Sequence, residues 1–256
     1  MIRSELGRSD ADHVYVRGFD LAQDLMGHLD LGGMAFLEIV GRRPEPGEAI
    51  VFNAMLVALV EHGITPSVIA ARVTAYGAPE SLQGAVAAGL LGLGSTFVGT
   101  IEGSAHMLDA AYGTSNAPIA TEAELDAMAD AIVADFRARR APIPGLGHPI
   151  HREADPRTTR LFALAQAHGF DGRYVALMRA VARRAAVAYG KPLPLNATGA
   201  IGALACELGI PAQVARGLGV IARSVGLVGH LLEESRAPIS RDLWVYAESE
   251  AERSRP

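Results

Sequence analysis

Apolar residues recur at helical spacing over most of the chain. Leu125, Met128, Ile132, Val133 and Phe136 share one helical face, preceded by Thr121 with Glu124 three residues on, a pairing that predicts a capping box. That helix runs out in Arg137, Arg139 and Arg140, whose charge suits a C-terminal dipole. Asp155-Pro156 opens a second helix, expected through about His168 and stopped at Gly169. Asp171 is expected to cap a third, ending near Gly190, and Pro211 to start a long one through about Glu234. Strand-like alternation is scarce; His13-Val14-Tyr15-Val16-Arg17 is the best candidate, as one edge of a small hairpin. The fold class read from this pattern is all-α.

Between Glu80 and Glu102 lie 21 residues without a formal charge, long enough to raise the question of a membrane span. Gln83, Ser95, Thr96 and five glycines dilute the stretch, and no basic flank orients it, so it reads as a buried helix of a soluble protein. The run from Gly89 to Gly94 resembles a dinucleotide loop only superficially. It follows no strand and lies in a helical segment, where glycines serve close helix packing.

Half of the 256 residues are hydrophobic and only 5% aromatic, which suits small side chains between closely packed helices. A net charge of -5 argues against a nucleic-acid partner, and any anionic ligand must then be held by locally clustered arginines. The single cysteine, Cys206, excludes an internal disulfide framework and fits a reducing cytoplasm. The polar stretch Met1 to Arg8 carries no apolar signal region. Lys191 is the only lysine, so Schiff-base catalysis would have to use that one residue.

The segment from Pro144 to Arg157 concentrates the chemistry. It reads Pro144-Gly145-Leu146-Gly147-His148, then Arg152, then Asp155-Pro156-Arg157 at a helix start. Glycines allow close backbone approach, and a helix N-terminus with nearby arginines attracts a phosphate-bearing ligand beside the histidine. His148 and His151 are three apart, but a metal site needs three or four ligands and Cys206 is remote, so no metal is expected. A structural hydrogen bond is the blander reading of His148.

The spacing Gly-x-Gly-His-x-x-x-Arg-x-x-Asp-Pro-Arg resembles the signature of the citrate synthase family, which includes citryl-CoA lyase and the C-terminal lyase module of ATP-citrate lyase. Seven positions agree. The resemblance covers roughly residues 13 to 246: Gly18-Phe19-Asp20-Leu21 and Gly41-Arg42-Arg43-Pro44 look like the start of the compact members, and Val60-Glu61-His62-Gly63 is similar to Ala-Asp-His-Gly of the lyase module. The segment from Ala222 to His230 resembles Gly-Arg-Ser-Met-Gly-Phe-Ile-Gly-His. By this likeness His62 and Arg223 bind substrate carboxylates, and Pro144, Gly145, Leu146, Gly147, Arg152 and Arg157 bind coenzyme A. On the residues alone His62, after the apolar run Ala54 to Val60, is more often a helix-end histidine, and Arg216, Arg223 and His230 recur every seven residues as on a solvated stripe.

Two departures stand out. The family's general base is an aspartate in Asn-Val-Asp, whereas Asn196-Ala197-Thr198 has threonine there, and a hydroxyl cannot unaided take a proton from a thioester α-carbon. The histidine of citrate synthase's Gly-Pro-Leu-His-Gly-Gly is replaced by Glu102, which either substitutes as the acid/base group or pairs with an arginine. The resemblance implies a large helical domain, residues 1–140 and 220–256, and a smaller one, 141–219, forming a homodimer or higher oligomer. It implies carbon–carbon cleavage of citryl-CoA to acetyl-CoA and oxaloacetate, with His148, Glu102 and Thr198 at the reacting atoms. Partners would be an acyl-CoA and a small di- or tricarboxylate, with no nucleic acid, membrane or metal. The alternatives are another acyl-CoA and 2-oxo acid, or a silent paralogue that binds CoA esters.

Overall fold

The computed structural model describes residues 4–113, 121–147 and 154–254. A three-stranded antiparallel sheet comes first, with β1 Gly7–Ser9, β2 Val14–Val16 and β3 Phe19–Asp20, followed by a single π-helical turn, Leu21–Leu25. The helices are α1 Leu31–Val40, α2 Pro46–Val60, α3 Pro66–Gly77, α4 Leu82–Leu91, α5 Gly99–Tyr112, α6 Glu122–Ala138, α7 Pro156–Ala167, α8 Arg173–Tyr189, α9 Ala197–Glu207, α10 Ala215–Arg236 and α11 Ser240–Arg253. The fold is all-α.

The sheet corrects one expectation. The alternating segment is its central strand, not an edge, because polar Gly7–Ser9 pairs with it as well. Its turn to β3 is Arg17-Gly18, both at positive φ (51° and 85°), the conformation that lets a two-residue hairpin follow the strand twist.

Two compact units form, Met1–Leu56 with Thr100–Arg216, and Val57–Gly99 with Gly217–Pro256. The first includes residues 141–216 of the segment expected as the smaller domain, together with α5 and α6.

In the first unit α8 packs on α6 and α9. Tyr174, Val175, Leu177, Met178, Val181 and Ala185 make its buried face, and each large side chain withdrawn from water contributes roughly 1.5–3 kcal/mol. Ala197 and the whole of 199–205 in α9 are buried. Small residues there admit α5 closely: a Cβ on Gly202 would stand 2.5 Å from Ser104 Cβ and 2.9 Å from the Ile101 carbonyl oxygen. The Thr121–Glu124 capping box forms, α7 begins at Pro156 with Asp155 as its cap, and α8 closes at Gly190 with φ 63°.

Asp171 is not the cap of α8; Gly172 occupies that position without a side-chain bond. Glu207, from the end of α9, instead accepts the N–H groups of Tyr174 (2.7 Å) and Val175 (3.1 Å). Burial raises its pKa above the usual glutamate value, against the lowering by those two hydrogen bonds. Cys206 is likewise pushed up to about 12, chiefly by burial, which keeps it a neutral thiol.

In the second unit Val68, Ala71, Ala85, Leu227 and Leu231 form the core, flanked by Ala75, Val86 and Leu90. Gly89 serves close packing, since a Cβ would fall 2.7 Å from Leu227 Cδ1 and 2.8 Å from the Ser67 carbonyl oxygen. The uncharged run is not one helix: α4 ends at Leu91, Gly92 caps it, and turns lead to α5. Gly92, Gly94 and Ser95 break what the apolar count suggested would continue. Ala212–Arg236 is long and apolar enough to cross a membrane by length and composition alone, but Leu227 and Leu231 on it belong to this core.

Candidate active site

The Gly/Pro loop is built by backbone hydrogen bonding to the start of α9. Asn196 is its hub. Its N–H donates to the Gly145 carbonyl (2.9 Å) and its side-chain amide to the Gly147 carbonyl (2.7 Å). Its Oδ1 caps α9, accepting from the N–H groups of Thr198 (3.0 Å) and Gly199 (3.1 Å) and from the Thr198 hydroxyl (2.7 Å). Gly147 N–H donates to the Pro194 carbonyl (2.7 Å), and Leu146 bridges Leu195. Gly145, at φ 85°, lies so close that a Cβ would stand 2.4 Å from Gly199 Cα. Pro144 is held by the Ser104 hydroxyl, which donates to its carbonyl oxygen at 3.1 Å.

Asp155, fully buried, ties this loop's far end to the same helix start. Its carboxylate accepts from Arg157 Nε (3.1 Å) and Nη2 (2.9 Å), from Arg157 N–H (3.0 Å) and from Ala197 N–H (3.0 Å). Burial pushes its pKa up, but the Arg157 guanidinium and the two backbone donors outweigh that and hold the carboxyl below the usual aspartate range. His148, His151 and Arg152 lie outside the described residues.

Thr198 is near the N-terminus of α9, where its hydroxyl proton goes to Asn196 while its oxygen accepts from the Thr100 hydroxyl (2.9 Å). Glu102, on α5, is about a quarter exposed; one oxygen stands 2.8 Å from Arg216 Nε and the other 3.9 Å from His106 Nε2. The arginine pairing considered for it is present.

Beside the loop, Leu146 lines a pocket of 420 Å³ with Arg137, Arg140, Lys191 and Tyr189. Among the described residues its lining carries three cations and no acidic side chain, an arrangement suited to phosphates in a chain of net charge -5. The sequence pattern marks these arginines only as dipole partners of α6; their position directly before the Gly/Pro loop is the signal that ties them to it.

The second unit carries His62 and Arg223. His62 is exposed in the turn after α2, and Arg223 is buried on α10 (9% exposed). α10 crosses the end of α2 at Gly226, where a Cβ would stand 2.1 Å from the Val60 carbonyl oxygen, so helix and turn are in direct register. Of the seven-residue stripe, Arg223 is buried and His230 nearly so, while Arg216 is half-exposed. A cluster that sequence reasoning missed lies alongside. Arg72, 1% exposed, pairs with Glu233 and with Glu234 (3.3 Å) and reaches His230 Nδ1 (3.3 Å), and His230 Nε2 stands 2.9 Å from Glu61.

Comparison with known proteins follows the same lines. The family described as citrate synthase, C-terminal domain, matches residues 15–242. A citryl-CoA lyase from Hydrogenobacter thermophilus is 33% identical, with a TM-score of 0.81 over 91% of this chain and 87% of that one. The ATP citrate lyase of Methanothrix soehngenii, solved in complex with citrate and coenzyme A, shares the fold at 22% identity and TM-score 0.74, over 92% of this chain and 39% of that one. A probable ATP-citrate synthase from Dictyostelium discoideum is 25% identical over 241 residues, and the chain spans only 37% of its length. The glycine loop zipped to α9, the Asp155-capped helix and the match across nearly the whole sequence make this chain a member of the citrate synthase family.

Proposed function

We propose that this chain is a carbon–carbon lyase of the citryl-CoA lyase type, cleaving citryl-CoA to acetyl-CoA and oxaloacetate. The observation that carries the reading is the likeness to a citryl-CoA lyase over nearly the full length of both chains. The Arg137–Arg140–Lys191 pocket beside Leu146 is where phosphates of coenzyme A would be held, together with Pro144, Gly145, Gly147, Arg152 and Arg157. His62 and Arg223 would bind carboxylates, Arg223 through the planar fork that pairs with them bidentately.

In cleavage His148 takes the proton of the tertiary hydroxyl. The bond between the carbinol carbon and the thioester methylene breaks, its electron pair passes into the thioester enolate, and the carbinol carbon becomes the ketone of oxaloacetate. The enolate carbon then needs one proton to become the methyl group of acetyl-CoA. Thr198 is poorly suited to deliver it, because its own proton is engaged by Asn196, and its role is to order the start of α9. Glu102, once protonated and released from Arg216, is the candidate donor in this direction, and as the carboxylate it is the candidate acceptor in the reverse.

A silent, CoA-ester-binding paralogue is the second reading, favoured by the hydrogen-bonded Thr198 at the position of the family's aspartate. Solvent deuterium exchange into the acetyl-CoA methyl group, with citryl-CoA cleavage followed by mass spectrometry, decides between them. Cleavage with exchange that Glu102→Gln abolishes supports the lyase and its proton carrier. Exchange unaffected by Glu102→Gln moves that role to another residue. Absence of both reactions, with CoA still bound, establishes the silent reading.

A further inference from the structure

We infer that Glu61 and His230 are positioning residues that hold the His62 turn for carboxylate binding, an inference that rests on the substrate role proposed for His62. Glu61 Oε1 accepts the N–H of His62 itself (2.9 Å) and that of Gly63 (2.5 Å), so its carboxylate folds back over the turn it precedes. Gly63 completes the turn at φ 72°, a conformation that favours glycine. Glu61 Oε2 faces His230 Nε2 at 2.9 Å, and this contact joins the turn to α10, the helix that carries Arg223.

The tautomer of His230 follows from its other neighbour. An arginine only donates, so Nδ1, 3.3 Å from Arg72 Nη2, is assigned as the acceptor and the ring proton to Nε2, which lies 2.9 Å from Glu61 Oε2 as a close polar contact without the alignment of a hydrogen bond. Arg72 is itself fixed by burial and by Glu233 and Glu234. The relay therefore runs from a buried guanidinium through an oriented imidazole to a carboxylate, and from there to the two amides that shape the His62 turn. Outer partners of this kind set the orientation of a ligand-binding side chain without touching the ligand. Glu61 is suited to the part: burial raises its pKa, but the His230 contact and the backbone donors outweigh it and keep the carboxyl below the usual glutamate range.

The test combines steady-state kinetics on citryl-CoA with amide NMR of the same proteins. Glu61→Ala and His230→Ala are expected to raise KM at least about tenfold, with little change in kcat per folded molecule, since misplacement of a binding group is costly even at small distances. Both should move the His62 and Gly63 amide resonances upfield as their acceptor is lost or displaced. Glu61→Gln keeps an acceptor oxygen for both amides but sets its amide nitrogen against His230 Nε2, so it should restore the His62 and Gly63 amide shifts and recover only part of the KM change. A loss of folded protein with KM and amide shifts unaltered means a merely structural pair and overturns the inference. So does an unchanged KM in soluble, folded variants. If wild type binds neither citrate nor citryl-CoA, the functional reading fails and the carboxylate part of the inference with it, whereas unmoved amide shifts in Glu61→Ala refute the relay whatever the substrate is.

Discussion

The two units hold their candidate site residues by opposite means. In the first, the loop from Pro144 to Gly147 is fixed by backbone hydrogen bonds, one asparagine and glycines with no room for a side chain. In the second, the His62 turn and α10 are fixed by charged side chains, Arg72, Glu61, Glu233 and Glu234 around His230. A scaffold of the first kind has no titrating group within the loop itself and tolerates no added volume. One of the second kind tolerates small volume changes and fails when a charge is removed. Substitutions can therefore separate them.

The largest effect is expected from Gly145→Ala, which combines a left-handed backbone with a Cβ 2.4 Å from Gly199 Cα. Strain and overpacking together should cost about 4 kcal/mol, read by urea denaturation at neutral pH and unaltered by salt. Arg72→Met comes next. It fills the volume but leaves Glu234 and His230 without their cation, at a cost of about 3 kcal/mol in the same assay. Should Arg72→Met prove harmless, the charged scaffold of the second unit would be ornamental.

Asn196→Ala should cost about 2 kcal/mol by losing both the helix cap and the bond to the Gly147 carbonyl, and it should weaken CoA binding in calorimetry. The smallest effect concerns Glu207. Its folded pKa is raised, so the stability linked to its proton is present below the unfolded value of 4.5 and is lost as pH rises through the folded one. Glu207→Gln retains an acceptor for the Tyr174 and Val175 amides, and is expected to be slightly more stable than wild type at pH 7, with the advantage vanishing below pH 4.5. Asp155 has the opposite sign, since its lowered pKa contributes stability above its ordinary value of 3.8 that fades as pH falls.

Local signals were legible and tertiary ones were not. Thr121 with Glu124, Asp155-Pro156 and Gly190 mark helix ends through bonds to neighbours a few residues away, so the sequence carries them directly. Glu207 caps α8 from 33 residues downstream, and no local pattern announces it in place of Asp171. The central place of β2 depends on a polar partner strand without alternation, and the break after Leu91 depends on glycines that also occur inside α10. At the site, the Gly/Pro loop was readable as a motif. Its attachment through Asn196 was not, nor was the identity of the arginine that pairs with Glu102, because each contact joins segments far apart in the chain.

The core of the second unit has a consequence for biosynthesis. Val68, Ala71 and Ala85 leave the ribosome first, and the Leu227 and Leu231 that cover them follow only after the whole of Thr100–Arg216 has been translated. At ordinary elongation rates that interval is on the order of ten seconds. During it the nascent chain displays an apolar surface with its closing helix still unmade, and a holding chaperone or a fast-folding first unit would have most value in that window.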